Sequence, residues 1–180
     1  MRIISGRWGG RRLEAPPGHE TRPLTDRIKQ SLFDWLGQDL TGWRVADACA
    51  GCGGFGIEAA SRGAAEVHLI EPGRHALPAV RANLAILGDP PEIRLHPRPF
   101  QRVLAQLSGL DLVFCDPPFP WYSDDRPQLE ELVALGCAAL SKEGRLVLRG
   151  ETGEMLPNLP PGRQEQERRV YGRSWIAAIS

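Results

Sequence analysis

Along most of this chain, short apolar runs and amphipathic stretches take turns, and that alternation limits the fold more than any other feature. "RVADACA" reads as a strand, followed by a glycine-rich loop that enters a helix at "GFGIEAASRG". "EVHLIEP" is a second strand, and "HALPAVRANLAILG" is helical, with Pro78 in its first turn or at a kink. "EIRLHP", the short helix "FQRVLAQL" and the strand "LDLVFCDPP" continue the pattern. The last of these carries an apolar run, as a strand buried on both faces should. "QLEELVALGCAAL" then reads as a helix and "GRLVLRGE" as a fifth strand. The stretch "QERRVYGRSWIAAIS" reads as two strands around a Tyr-Gly turn. Such alternation predicts an α/β fold, a doubly wound and mostly parallel sheet, with an antiparallel edge from the final pair.

The 180 residues, 42% hydrophobic, suffice for one domain with a core. Residues 1–24 are rich in Gly, Pro and Arg, and "RIISGRWGGRRLEAP" predicts a short hairpin with "GRWGG" as its turn. Residues 25–36 read as a helix, with Thr25 as cap and Ile28, Leu32, Trp35 and Leu36 on one face. The expected organisation is therefore a hairpin extension, 1–24, before a main domain, 25–180. No run approaches the roughly 18 apolar residues of a membrane span, and "MRIISGRWGG" lacks the apolar core of a secretory signal. The expectation is a cytoplasmic chain without a membrane partner.

Basic and acidic residues balance at 22 each, which argues against broad, non-specific nucleic-acid binding. Their distribution is uneven. Residues 1–36 hold Arg2, Arg7, Arg11, Arg12, Arg22, Arg27 and Lys29 against Glu14, Glu20, Asp26 and Asp34, a net of +3, and the rest carries −3. Cys49 and Cys52 are spaced C-x-x-C, but no second ligand pair accompanies them for zinc, and the glycine run of "CAGCGGFG" is foreign to a thioredoxin-like motif. They read as small residues in a tight loop, and no metal site is expected.

That loop, "DACAGCGGFG", places Gly51, Gly53 and Gly56 in a G-x-G-x-x-G pattern between strand and helix, and Glu71 lies 20 residues past Gly51. This is the dinucleotide fingerprint in its proper context: glycines let backbone approach a ligand, and the acid binds ribose hydroxyls. S-adenosylmethionine (SAM) enzymes use the same physics. Asp47 before the loop, where a dinucleotide strand is apolar, favours SAM, as does the absence of a second domain for a redox substrate.

The strongest discriminator is "FCDPPFPWY". Asp116 closes a buried strand at the sheet edge where α/β ligands bind. An exocyclic amine of guanine or adenine is a poor nucleophile because its lone pair is delocalised. A site helps by accepting its N–H bonds, here on the Asp116 carboxylate and the Pro117 carbonyl. Positive charge develops on the nitrogen during methyl transfer, so an anionic acceptor stabilises the transition state more than the ground state. Pro117 and Pro118 restrict the backbone, and Phe119 can stack on the extruded base. Trp121 and Tyr122 either wall the pocket or pack.

Taken together, "MRIISGRWGGRRLEAPPG", "TRPLTDRIKQSLFDWL", the glycine loop, "IEPGRHALPAVRANL", "DPPF" and "YGRSW" resemble the bacterial methyltransferases that modify the N2 amine of a guanine in small-subunit (16S) ribosomal RNA. The N-terminal segment is the specific part, because the loop and "DPPF" recur in many amino-methyltransferases. The resemblance implies a seven-stranded SAM-dependent fold. It places SAM against Ala50, Gly51, Gly53 and Glu71, with Asp47, Pro72 and Thr25 beside them. It makes Asp116, Pro117, Pro118 and Phe119 the catalytic element, and Arg7, Arg11, Arg12 and Arg22 candidates for RNA phosphates. It implies a monomer acting on 16S rRNA, within an assembling or assembled small subunit. The chain departs from the pattern at Cys49, where Phe is usual, and at Cys52, where Ser is. In "HPRPFQ" Arg98 or Pro99 sits where an acidic or amide residue is usual near the adenine, leaving that contact to backbone, to Gln101, or unmade. Two other readings remain: an adenine-N6 methyltransferase on DNA or RNA, and a non-catalytic SAM- or dinucleotide-binding module.

Overall fold

The computed structural model describes residues 1–15 and 26–180. Helix α1 (Asp26–Leu36) precedes the alternating part. There, β1 (Arg44–Asp47), β2 (Glu66–Ile70), β3 (Ile93–His96), β4 (Leu110–Cys115) and β5 (Leu140–Glu151) alternate with α2 (Gly54–Ser61), α3 (Leu77–Ile86), α4 (Phe100–Leu104), α5 (Pro120–Ser123) and α6 (Arg126–Ala139). Strands β6 (Glu165–Tyr171) and β7 (Ser174–Ile179) follow. Among the described residues the sheet has seven strands in the order β3-β2-β1-β4-β5-β7-β6. Strands β1 to β5 pair in parallel, and β7 runs antiparallel between β5 and β6, the edge that the tail predicts. The winding direction reverses between β1 and β4, so the crevice for a ligand opens at the carboxyl ends of those two strands.

Side chains alternate between two cores, one on each face of the sheet. Leu112 and Phe114 of β4 face the side covered by α1, α2 and α3, while Val113 and Cys115 face α4 and α6. Phe55 of α2 stacks on Phe114 with ring centroids 3.7 Å apart. Pro78 lies in the first turn of α3, where its missing N–H costs nothing. Helix α6 begins two residues before "QLEELVALGCAAL", because Asp125 caps it by accepting the Gln128 N–H and Pro127 takes the first turn. Residues 120–123, read from sequence only as aromatics behind the D-P-P-F motif, form the single helical turn α5.

The N-terminal segment is the expected hairpin, with Arg2 bridged to Arg12 and the Ile3 N–H donating to the Arg11 carbonyl at 2.9 Å. Its Ile3, Trp8 and Leu13 belong to the same core as α1, α2 and α3. One carboxylate anchors it. Glu58 of α2 accepts the N–H groups of Ile4 (2.7 Å) and Ser5 (3.0 Å), together with Arg62 Nε (2.9 Å) and Lys29 Nζ (3.2 Å). Lys29 also donates to the Arg2 carbonyl at 2.6 Å, and the side chains of both Lys29 and Glu58 are wholly buried. Lys29 is therefore not part of a basic surface. The buried face of α1 turns to include Lys29 and Phe33 because Glu58 neutralises the ammonium.

The hairpin lies along α2. Met1 covers Gly54 at the start of that helix, whereas the Arg7 N–H bonds the Ser61 carbonyl at its end. Its open end is thus beside the glycine loop, and its tip is at the amino edge of the sheet. The boundary expected between residues 24 and 25 lies outside the described residues.

Candidate active site

The β4–β5 register pairs Cys115 with Leu148, so Asp116, just past the end of β4, comes beside Arg149, which continues in β5 against β7. On the other side of β4, Asp47 of β1 pairs with Phe114, and Leu69 of β2 pairs with Asp47. Asp47, Glu71 and Asp116 are thereby gathered at one edge. A cavity of about 460 Å³ opens there, lined from the strand ends by Ala48, Cys49, Gly51, Glu71, Pro72 and Asp116. Pro117, Pro118, Phe119, Pro120 and Trp121 close it on one side, with Phe100 and Arg149.

Of the residues expected to hold the cofactor, Gly51, Glu71 and Pro72 face this cavity. Gly51 has φ +55° and nothing within 4 Å of the Cβ it lacks, so a side chain there would project into open space at the cavity wall. Glu71 accepts N–H groups from Gly51 (2.8 Å) and Gly73 (2.6 Å), which fixes its carboxylate across the loop. Burial raises its pKa against the pull of those donors. Asp47, Ala50 and Gly53 stand behind the loop instead. The Asp47 carboxylate is 1% exposed and accepts the Gly56 N–H at 2.9 Å. A Cβ on Gly56 would come within 2.2 Å of Leu69, so that glycine serves close packing of helix on strand. Burial pushes Asp47 up to about 7, opposed by the Gly56 N–H and reinforced by the charges of Asp116 and Glu71. Thr25 lies outside the described residues.

All four residues expected to be catalytic, Asp116 to Phe119, line the cavity. Arg149 Nη1 donates to both Asp116 oxygens, at 2.9 and 3.2 Å. Burial raises the Asp116 pKa, and the Arg149 charge and hydrogen bonds oppose that. The two aromatics of α5 divide their roles: Trp121 lines the cavity, while Tyr122 is 4% exposed and donates its hydroxyl proton to the Arg149 carbonyl at 2.8 Å.

Sequence reasoning missed Arg149 and Phe100. Arg149 sits in an apolar strand, and only the parallel register reveals that it meets Asp116. Phe100 is the residue of "HPRPFQ" that reaches the cavity, whereas Gln101 turns away and donates to Glu131 at 3.0 Å. The sequence offers an aromatic at the first turn of a helix after the third strand, which does not by itself separate a core residue from a cavity wall. None of the described histidines lines the cavity, and His68 and His96 bond each other at 2.9 Å. All four cysteines are free thiols.

The hairpin arginines lie apart from the cavity lining. Arg7 pairs with Glu92 near the tip and covers the Trp8 ring, and Arg11 donates to the Ile86 carbonyl at 3.2 Å. Arg12 is exposed, and Arg22 lies outside the described residues.

The chain matches the family described as conserved hypothetical protein 95 over residues 1–180. It is 34% identical over 178 residues to ribosomal RNA small subunit methyltransferase D of Escherichia coli K12, covering 96% of this chain and 86% of that one. A solved Escherichia coli structure provisionally described as the methyltransferase yhhF superposes with a TM-score of 0.84 at 31% identity, over 99% of this chain and 96% of its own. A hypothetical protein of Thermus thermophilus gives 0.80 at 29% identity, over 99% and 98%. A family match over residues 1–180, a superposition at a TM-score of 0.84 and a common third of the sequence place this chain in the conserved hypothetical protein 95 family, alongside the small-subunit ribosomal RNA methyltransferases.

Proposed function

We propose that the chain transfers a methyl group from SAM to the exocyclic N2 amine of a guanine in 16S rRNA. The observation that carries this reading is the sharing of one cavity: Asp116 to Phe119 face Gly51 and Glu71 across it. A cofactor in contact with the glycine loop and a base in contact with Phe119 would then meet between them.

The cradle suits SAM chemically. Glu71 can accept from a ribose diol, the open space at Gly51 admits a ligand against backbone, and Phe100 offers a flat apolar face to an adenine. When bound, SAM supplies the methyl group on a sulfonium. The Asp116 carboxylate and Pro117 carbonyl accept the N–H bonds of the target amine and turn its lone pair toward that methyl. Asp116 then faces the positive charge that grows on nitrogen. The proton leaves to water after transfer, so no histidine base is required. Phe119 and Trp121 stack on the flipped base and exclude solvent.

RNA phosphates have two candidate contacts. Arg12 extends from the hairpin. Arg74 after β2, Arg98 after β3 and Arg102 in α4 are exposed near the cavity edge of the sheet and, among the described residues, have no acidic partner. Arg7 and Arg11 are engaged by Glu92 and Ile86, so their contribution requires exchange of those partners. The reading carries with it a monomer acting in the cytoplasm on the small ribosomal subunit or its RNA. No helix among the described residues is long and apolar enough to cross a membrane.

The test is methyl transfer from radiolabelled SAM to unmodified small subunits, free ribosomal RNA and DNA, with the product nucleoside identified by mass spectrometry. N2-methylguanosine is expected. N6-methyladenine would move the activity to the adenine alternative, and SAM binding without transfer to any substrate would favour a binding module.

A further inference from the structure

We propose that Arg149 is a positioning residue for methyl transfer, fixing the Asp116 carboxylate and the Phe119 ring as one unit against which the target base is held. This rests on the methyltransferase reading of the cavity.

Arg149 is 5% exposed, and its guanidinium is committed on three sides. Nη1 spans both Asp116 oxygens, Nη2 donates to Ser174 Oγ at 3.1 Å, and the guanidinium carbon lies 5.3 Å from the centre of the Phe119 ring. Only Nε is buried without a partner among the described residues. A planar guanidinium can bridge a carboxylate and a hydroxyl while lying near an aromatic ring, and a lysine cannot.

Two consequences follow for the reaction. A carboxylate has about four lone-pair positions, so the bonds from Nη1 leave acceptor capacity for the incoming amine. Burial opposes the ionisation of Asp116, and the Arg149 charge and hydrogen bonds favour it. The other titratable groups packed near it are Asp47 at the end of β1, whose carboxyl burial also pushes up, and the Cys49 and Cys115 thiols and the Tyr122 phenol, which burial holds neutral. Among the described residues Arg149 is the cation bonded to Asp116. It favours the anionic carboxylate, the form that accepts an N–H bond of the amine and stabilises positive charge on nitrogen. Through the Phe119 ring it also fixes the surface on which the base lies.

The experiment compares wild type, Arg149→Met, Arg149→Lys and Ser174→Ala in single-turnover methyl transfer across pH, with SAM affinity measured separately by calorimetry. Arg149→Met should lower the rate at least about 10-fold, with SAM affinity kept. Its acid limb should move up by about one unit or more, because an opposite charge has been lost from a buried carboxylate. Arg149→Lys should return the acid limb toward the wild-type position without restoring the rate. Ser174→Ala removes only the Nη2 acceptor. It should lower kcat several-fold while leaving the pH profile and the KM for RNA in place, and it decides the matter if Arg149→Met does not fold. An unshifted acid limb in a folded Arg149→Met, SAM affinity lost in parallel with rate, or an unchanged kcat in Ser174→Ala would overturn the role of Arg149. Absence of transfer by the wild type would instead overturn the methyltransferase reading beneath it.

Discussion

Two arginine–carboxylate pairs with buried arginines sit in different parts of this molecule, and they do different work. In the first, Arg62 and Lys29 meet Glu58, whose side chain is wholly buried and whose oxygens also accept two backbone N–H groups of the hairpin. In the second, Arg149 meets Asp116, whose side chain is 24% exposed at the cavity wall and, among the described residues, accepts only from that arginine. A carboxylate surrounded by four donors is a staple. A carboxylate with one donor and an open side remains an acceptor for something else. The number of donors around the anion, more than the presence of an ion pair, separates structural use from chemical use.

The largest effect should come from breaking the staple. Glu58→Ala leaves two buried cations and two backbone N–H groups uncompensated, and loss of one partner from such a cluster costs about 3–5 kcal/mol. Urea unfolding should show it, and a change under about 1 kcal/mol would erase the contrast between the pairs. Asp116→Ala should behave oppositely: the fold and SAM affinity are kept while methyl transfer falls about 100-fold or more, within the range for loss of a transition-state electrostatic contact. Retained transfer would make both pairs structural.

Glu71→Ala sharpens the comparison at the cofactor end of the cavity. It should weaken SAM binding about 10-fold or more, as expected for loss of a hydrogen bond to a charged group, with calorimetry as the measurement. Unaltered affinity would leave Glu71 as a brace for the glycine loop.

Asp47 makes a prediction in pH. Its folded pKa of about 7 lies above the unfolded value, so the folded state binds the extra proton. Its contribution is fully present below about pH 4 and is lost as pH rises through 7. Asp47→Asn should flatten that part of the stability–pH curve, and an unchanged slope would assign it elsewhere.

The smallest effects concern the arginines. Arg11 and Arg12 changed together to Ala should weaken RNA binding with SAM affinity unchanged, and the salt dependence should lessen because phosphate contacts release counterions. If the loss is greater when Arg74, Arg98 and Arg102 are changed, the RNA lies chiefly across the cavity edge. If neither set matters at low or moderate salt, phosphate recognition rests on other residues.

Much of this architecture is legible in the chain. The apolar run in "LDLVFCDPP" reports a strand buried on both faces, and the glycine loop between β1 and α2 marks where the sheet opens. D-P-P-F can be placed at the correct edge because a parallel strand must end there. What sequence does not supply is pairing across strands. Nothing in "LVLRGE" says that Arg149 meets Asp116, since that depends on the β4–β5 register. Nor does "DRIKQSLFDWL" say that Lys29 is buried, because its neutralising partner Glu58 lies on a different helix. The glycine motif also divides where its pattern looks uniform: Gly51 faces the cavity, while Gly53 and Gly56 meet Ile57 and Leu69. Phe100 is hidden because a buried aromatic looks the same whether it fills a core or lines a ligand wall.

The sheet order has a consequence in time. Strand β7 comes after β6 in the chain, yet it lies between β5 and β6. During synthesis β5 must therefore wait with one edge unsatisfied until β7 emerges. Ser174, which holds Arg149, arrives with β7. The parallel half of the sheet can assemble around the glycine loop first, but the arginine beside Asp116 gains its second anchor only when the antiparallel pair docks. Ser174 can complete the acceptor only once β7 has been synthesised, whereas the glycine loop and Glu71 opposite it come far earlier in the chain.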